Sequence, residues 1–257
     1  MPSSKKSLLH QRIEGEKMIK YIKNLFVKES TIRFVPHVGA PECSVMTVIK
    51  LAKDIKPVWM EEQKLNDPKD RFVQCPGMDD LYRAGYIIPA WTDITIKANK
   101  AGISVKFFNG SMGAAYPMEP KLVKNIVEAD KNVKFSPTKL AAPWSIFTKS
   151  GYSALVLPAT FHFPFMRDIF IYPGIVDYDN FTTINIIFTA LRECEIFIPA
   201  GTPLLQIIPY KREVITGETA SKNQKDYDKH EYGFPTRVRS AYRKFFHKKK
   251  VYKLINK

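Results

Sequence analysis

The chain has few cysteines for its 257 residues, and none of them has the spacing of a redox or metal-binding motif. Cys43, Cys75 and Cys194 are odd in number and include no Cys-x-x-Cys pair. The sequence therefore predicts neither a disulfide framework nor a zinc site. Such cysteine usage favours a reducing compartment.

Motifs that carry catalysis are also missing. The five histidines are scattered, and no two of them have the four-residue spacing of a helical metal site. The glycine-containing segment around Gly110 lacks the lysine and hydroxyl of a phosphate-binding loop, and Ser145 and Ser153 have no nucleophile-elbow motif. We therefore expect no metal, no cofactor and no nucleophile.

Long apolar runs are absent as well. No stretch reaches the length of a membrane span, and the apolar positions near the N-terminus are interrupted by Gln11, Arg12, Glu14, Glu16 and Lys17. The sequence predicts an intracellular protein that is not inserted in a membrane.

Positive charge is plentiful and concentrated at the two ends of the chain. The net charge is +15, from 40 Lys and Arg against 25 Asp and Glu. Residues 211–257 hold 14 basic and five acidic residues, a net of +9, and residues 1–30 hold seven and three, a net of +4. The middle keeps 15 − 9 − 4 = +2. Basic ends on a near-neutral body are typical of contact with a polyanion or an acidic protein, or of a solvated surface that aids solubility.

Hydrophobic periodicity divides the chain into helical ends and a β-rich middle. An amphipathic helix is predicted over Ser7–Lys28, with its apolar stripe on its own domain or on a partner, and a short one over Pro120–Ala129. Short apolar, β-branched runs separated by Pro and Gly predict strands from Thr31 to Pro57 and from Trp144 to Tyr210. Between them, a hairpin is expected with its turn near 99–102, preceded by a polar loop or short helices.

Two motifs in the second half resemble the dUTPase and dCTP deaminase superfamily. "GIVDYD" from Gly174 to Asp179 is similar to the family's Gly-Val-Ile-Asp-x-x-Tyr-Arg-Gly motif. About two dozen residues later, "IPAGTPLLQIIP" resembles its Gly-x-Arg-Ile-Ala-Gln-Leu strand. Upstream, "GYSALVLPAT" resembles the strand that leads into a Pro-Arg-Ser turn. The resemblance implies an all-β, β-clip fold and, in most members, a trimer.

The same resemblance implies an active site that has lost most of its residues. In the family, the motif aspartate positions water against a nucleotide phosphate, a tyrosine excludes ribose and an arginine holds the phosphates. Asp177 matches the aspartate and Gln206 the later glutamine, but Asn180 stands in the tyrosine place. Phe181 and Thr182 replace the next Arg and Gly, and the Pro-Arg-Ser turn reads Pro158, Ala159, Thr160. Losing charged donors to a phosphate removes most of what phosphoryl-transfer catalysis uses. We expect no hydrolysis, with Asp177, Asn180 and Gln206 as the remaining candidate ligand residues.

The C-terminal tail is the other candidate binding region. Aromatic residues interleave there with basic ones, a pattern compatible with phosphate contacts and base stacking, with an acidic protein partner, or with an amphipathic helix docked on the body. The candidate basic residues are Arg237, Arg239, Arg243, Lys244, Lys248, Lys249 and Lys250.

The predicted architecture is mainly β. An N-terminal helix (1–30) precedes a dUTPase-like β-clip or barrel-like body (31–213), which a basic, helical extension (214–257) follows. The organisation also resembles proteins of tailed phages. The expected function is a non-catalytic structural or interaction protein of a phage, in the host cytoplasm or the virion, with a protein partner or self-assembly as a homo-oligomer and nucleic acid as a further partner of the tail. The alternative is a protein that binds or weakly hydrolyses a deoxynucleotide.

Overall fold

A computed structural model describes residues 30–37, 49–55, 57–66, 75–108, 114–118, 135–219, 221, 225 and 247–254. The helices predicted over Ser7–Lys28 and Pro120–Ala129 lie outside these residues.

The described secondary structure is dominated by strands. The strands are β1 (Ile32–Pro36), β2 (Lys50–Leu51), β3 (Tyr86–Pro89), β4 (Ile94–Asn99), β5 (Gly102–Phe107), β6 (Ala114–Pro117), β7 (Thr138–Thr148), β8 (Tyr152–Pro158), β9 (Ile169–Ile171), β10 (Gly174–Val176), β11 (Thr183–Ala190), β12 (Cys194–Ile198) and β13 (Pro203–Lys211). The helices are α1 (Val58–Asn66) and α2 (Pro76–Arg83), with a short 3-10 helix at Ala52–Asp54. The prediction of a mainly β protein is confirmed.

The chain divides into two compact units. The first contains the described residues up to Lys50 together with Tyr86–Arg212, and the second contains Leu51–Gly85 together with the described residues from Glu213 onwards. The sequence had placed residues 51–85 inside the β body, whereas the structure groups them with the C-terminal extension.

Antiparallel sheets make up the first unit. In the first sheet the strand order is β1-β7-β11-β9, and β6 also pairs with β7. The second sheet contains the order β10-β8-β13-β3, and the third has the order β12-β4-β5. The last strand in the described part of the chain, β13, thus lies between β8 and β3.

Alternating side chains explain why these segments form half-buried strands. Along β11, Ile184, Ile186 and Phe188 are at most 2% exposed, while the residues between them are partly exposed. Period-two alternation of β-branched and aromatic residues is the pattern of a strand with one face on a core. Each of these side chains, fully buried, stabilises the fold by about 1.5–3 kcal/mol.

The hairpin predicted near residues 99–102 is confirmed. β4 and β5 pair from Ile94↔Phe107 to Asn99↔Gly102, which leaves a two-residue turn. Gly102 has φ +117, a conformation that L side chains rarely adopt, and the side-chain Oδ1 of Asn99 accepts a hydrogen bond from the backbone of Ala101 at 2.9 Å. Both residues suit a tight turn.

The second unit contains the two short helices that the sequence offered for its polar segment. α2 begins with Pro76 in its first turn and ends before Gly85, which has φ +68. Proline at the start and glycine just past the end is the usual asymmetry of helices. No helix in the described part of the chain is long and apolar enough to cross a membrane.

The predicted helical tail is wrong over the part that the structure describes at its end. Lys225 is helical, but residues 247–254 have no regular secondary structure. In this segment both His247 and Lys250 bind the same aspartate of α2. These tertiary contacts anchor the segment to α2, and tertiary context overrides local helix propensity. Arg237, Arg239, Arg243 and Lys244 lie outside the described residues.

Candidate functional site

The motif aspartate Asp177 lies where the end of β10, the start of β8 and the end of β13 are neighbours. Val176 of β10 pairs with Ala154 of β8, so the next residue, Asp177, lies beside Ser153. The Ser153 hydroxyl donates a hydrogen bond to Asp177 Oδ1 at 2.5 Å. On the other side of β8, Ser153 pairs with Tyr210 of β13.

A turn after β10 brings a second carboxylate to the same place. The backbone N–H groups of Asn180 and Phe181 both donate to the carbonyl of Asp177 at 2.9 Å, which folds residues 177–181 back on themselves. Tyr178 is buried at 1% exposure within this turn, and burial raises its pKa. The turn directs the side chain of Asp179, only 7% exposed, towards the start of β8.

Asp179 accepts hydrogen bonds from three other residues. Gly151 donates its backbone N–H to Asp179 Oδ2 at 3.0 Å, and Asn180 donates its side-chain amide to Oδ1 at 3.1 Å. Arg212 donates through both terminal nitrogens, with Nη1 at 3.0 Å from Oδ1 and Nη2 on Oδ2. Such a two-pronged contact is the strong form of an arginine–carboxylate pair.

Arg212 joins the two aspartates into one group. Its Nη1 lies 3.2 Å from Asp177 Oδ1 and 3.1 Å from the Ser153 hydroxyl. Its backbone N–H donates to the carbonyl of Gly151 at 2.8 Å. We call the side chains of Ser153, Asp177, Asp179 and Arg212 the Asp177–Arg212 cluster.

The electrostatics of the cluster follow from these contacts. The hydrogen bonds from Arg212 hold the pKa of Asp179 below its ordinary value, against the opposing effect of burial, and the Gly151 N–H acts in the same direction as Arg212. The same pairing raises the pKa of Arg212. Two ionised carboxylates and one guanidinium give the cluster a formal charge of −1.

Of the three candidate ligand residues, the structure brings two together. Asn180 is exposed beside Asp177, in the same turn. Gln206 is 2% exposed on β13, opposite Leu157 of β8. Leu157 lies four positions after Ser153 along β8, which is about 13 Å at about 3.3 Å per residue. Gln206 also has interactions of its own within the protein.

The turn that resembles the family's Pro-Arg-Ser segment lies at the opposite end of β8. Pro158 pairs with Leu205, and the next residue, Ala159, is fully buried with its N–H donated to the Leu204 carbonyl at 3.0 Å. The position that the sequence resemblance matches to the family's phosphate-binding arginine therefore holds an apolar, buried residue. Thr160 Oγ1 donates to the Pro158 carbonyl at 3.2 Å.

Sequence reasoning missed Asp179, Arg212 and Ser153 as partners of Asp177. Arg212 had been counted with the basic C-terminal residues, and Ser153 had been considered only as a nucleophile. One signal was available: Asp179 follows the motif aspartate by two residues, and Arg212 follows the end of the predicted strands at Tyr210 by two residues. Within the described residues, no group of three or more His, Cys, Asp or Glu side chains has the arrangement of a metal site.

Comparison with known proteins leaves the family open. No protein-family model matches the chain, and no curated protein matches it. Among solved structures, it is similar to a mutant dUTPase of Staphylococcus bacteriophage 80alpha, at 9% identity and a TM-score of 0.26, over 52% of this chain and 98% of that one. A likeness of this size does not establish a shared fold.

Proposed function

We propose that the β unit is non-catalytic and that the protein acts as a structural or interaction protein built on a degenerate dUTPase-like body. The observation that carries the proposal is the Asp177–Arg212 cluster, in which the Arg212 guanidinium forms ion pairs with two carboxylates of the protein itself.

Nucleotide hydrolysis requires a different distribution of charge from the one in the cluster. Phosphoryl-transfer sites place positive groups and metal ions around the phosphates. Here Arg212 contacts Asp177 and Asp179, and the group as a whole is negative. A polyphosphate that carries no bound cation meets net repulsion from this group. In addition, Asp177 is the residue that the resemblance matches to the family's water-positioning aspartate, and its Oδ1 accepts a hydrogen bond from Ser153 and pairs with Arg212.

The cluster has a structural function that accounts for all its contacts. It connects the turn after β10, the start of β8 and the residue after β13, three segments far apart in the sequence. Ion pairs joined by backbone hydrogen bonds of this kind hold strand ends in register.

Exposed apolar side chains on the same unit support an interaction role. Ile175 on the edge strand β10 is 65% exposed, and Phe181 just after the cluster is 49% exposed. Phe108 and Phe197 form an exposed edge-to-face pair with ring centroids 6.1 Å apart. Aromatic and aliphatic residues in such positions are typical anchors of protein interfaces. The partner is a second copy of the chain, in the trimeric arrangement of the family that the sequence resembles, or another protein.

The alternative function is nucleotide binding. One observation favours it: the Asp177 side chain is 54% exposed, with Asn180 exposed beside it. A ligand that approaches from solvent has access to both side chains.

Melting of the purified protein with a panel of deoxynucleotides and magnesium separates the two functions. We expect no pyrophosphate release and no shift in melting temperature. A ligand at about 100 times its dissociation constant adds about 2.7 kcal/mol of stability, which is easily seen. A shift selective for one nucleotide that disappears in Asp177→Ala, but persists in the control Glu195→Ala, contradicts the proposal and supports nucleotide binding. Glu195 is a suitable control because it pairs with Lys97 at the surface, outside the cluster.

Self-assembly is tested by native mass spectrometry of the full chain. We expect a homo-oligomer that Ile175→Asp dissociates and that Ile215→Asp leaves intact. Ile215 is 91% exposed but lies in a segment without secondary structure. If the wild-type chain is monomeric, self-assembly is ruled out and the interaction role requires a different protein as partner. In that case the tailed-phage resemblance makes purified virions the first place to search for one.

A further inference from the structure

The end of the C-terminal extension forms an ordered contact within the second unit. We call residues 247–254 the basic strap. Two sets of residues are present in it: His247, Tyr252 and Leu254 are partly buried, whereas the exposed residues are Lys248, Lys249, Lys250, Val251 and Lys253. Burial raises the pKa of Tyr252, in keeping with an inward-facing ring.

The strap is held by one carboxylate of α2. His247 Nε2 lies 3.0 and 2.9 Å from the two oxygens of Asp80, and Lys250 Nζ donates to Oδ2 of the same group. The Asp80 side chain is 21% exposed and that of Lys250 is 50% exposed. The Asp80 carboxylate thus accepts contacts from two nitrogen-bearing side chains of the strap. Basic side chains surround a phosphate group in a similar way.

The charge state of Asp80 fits that description. Burial opposes its ionisation, but the hydrogen bonds from Lys250 and His247 outweigh this effect, so its pKa lies below the ordinary value. At neutral pH an anion is therefore already present at the centre of the strap contact.

We propose that the basic strap binds the phosphate backbone of nucleic acid and that Asp80 competes with the phosphates for His247 and Lys250. All of these residues lie in the second unit, so the inference does not depend on the non-catalytic role proposed for the β unit.

The side-chain arrangement also predicts whether binding by the strap depends on base sequence. Stacking on bases requires exposed aromatic faces. Tyr252 is partly buried, and the exposed side chains on either side of it are Val251 and Lys253, neither of which is aromatic. Contacts to phosphates fix position without reading sequence. Binding through the strap is therefore independent of base sequence and sensitive to salt.

The test measures the affinity of the full chain for a short fluorescent DNA duplex between about 50 and 200 mM salt. Each phosphate contact contributes about 0.9 to the slope of log affinity against log salt concentration. Asp80→Asn removes the negative charge that competes with phosphate for Lys250, so we expect tighter binding and a slope steeper by about 0.9. Asp79→Asn is the matched control: it adds the same charge to the same helix, but Asp79 pairs with Arg83 at 3.4 Å. It should leave the slope unchanged.

Further variants keep the test decisive if Asp80→Asn proves unstable. Lys248→Gln combined with Lys249→Gln should flatten the wild-type slope by about 1.8, because two phosphate contacts are lost. Lys100→Gln with Lys106→Gln removes as much charge from exposed positions of the first unit and should have little effect. Equal gains in Asp80→Asn and Asp79→Asn refute competition by Asp80. Tighter binding to poly-glutamate than to the duplex, or an unchanged slope in the double lysine variant, refutes nucleic acid as the ligand.

Discussion

Replacement of Asp179 by Asn tests whether the Asp177–Arg212 cluster stabilises the fold. The amide keeps the shape and an acceptor for the Gly151 N–H but loses the charge that pairs with Arg212. Hydrogen bonds to charged groups contribute about 1.5–3 kcal/mol each, and the Asp179 side chain is almost wholly buried. We therefore expect a loss of about 2 kcal/mol in the free energy of unfolding, or about 4–8 °C in melting temperature.

Asp177→Asn is the matched comparison, and the two variants should differ. The Asp177 side chain is 54% exposed, so its pair with Arg212 resembles a surface salt bridge, which contributes about 0–1 kcal/mol. Urea denaturation at neutral pH measures both losses. An Asp177→Asn loss equal to or larger than that of Asp179→Asn refutes the assignment of Asp179 as the structural centre of the cluster.

The pH dependence provides a second check on the same variant. Arg212 lowers the pKa of Asp179 in the folded protein, so the unfolded chain takes up a proton first as the pH falls. The stability from Asp179 is complete above the unfolded pKa, near 3.8, and is lost as the pH falls through the lower folded value. The difference in the free energy of unfolding between wild type and Asp179→Asn should therefore disappear in acid. A difference in the free energy of unfolding that does not change with pH contradicts this reasoning.

Three further predictions concern the first unit. Burial lowers the pKa of His162 to about 4, so the free energy of unfolding should fall as the pH drops from about 6.5 to about 4, and His162→Leu should reduce that fall in acid titrations followed by circular dichroism. Thr189→Val should cost about 1–3 kcal/mol in urea denaturation because the buried hydroxyl donates to the Phe135 carbonyl at 2.7 Å; a neutral result rejects that bond. Gly151→Ala should lower stability by about 1–2 kcal/mol because φ is +83, whereas Gly174→Ala, where a Cβ meets open space, should be nearly neutral; equal thermal melts of the two variants contradict this.

The strands of the β unit could be predicted because their pattern is local. Alternation in β11 and β4, and the turn residues around Gly102, are visible in a few consecutive letters. The division into two units was not visible in this way. It depends on residues 51–85 grouping with residues beyond 213, and no short-range pattern encodes that choice.

The candidate site was predicted in part for the same reason. The motif that contains Asp177 is contiguous, so its place at the end of a strand could be read directly. Its pairing with Arg212 spans 35 positions and is set by the β8–β13 register. The distance of Gln206 from Asp177 follows from that register too. The contact of the strap with Asp80 joins residues 167 positions apart, which helical periodicity does not reveal.

The position of β13 has a consequence for folding during synthesis. This strand is the last of the first unit in sequence, yet it lies between β8 and β3, and Arg212 closes the Asp177–Arg212 cluster directly after it. Until residue 212 has left the ribosome, β8 and β3 each have an unpaired edge on the side that β13 will fill. Unpaired edges are templates for aggregation, and contacts of such long sequence separation form slowly. The β unit therefore completes its second sheet only after nearly its whole chain has been made, and a chain that ends before β13 is an aggregation-prone fragment.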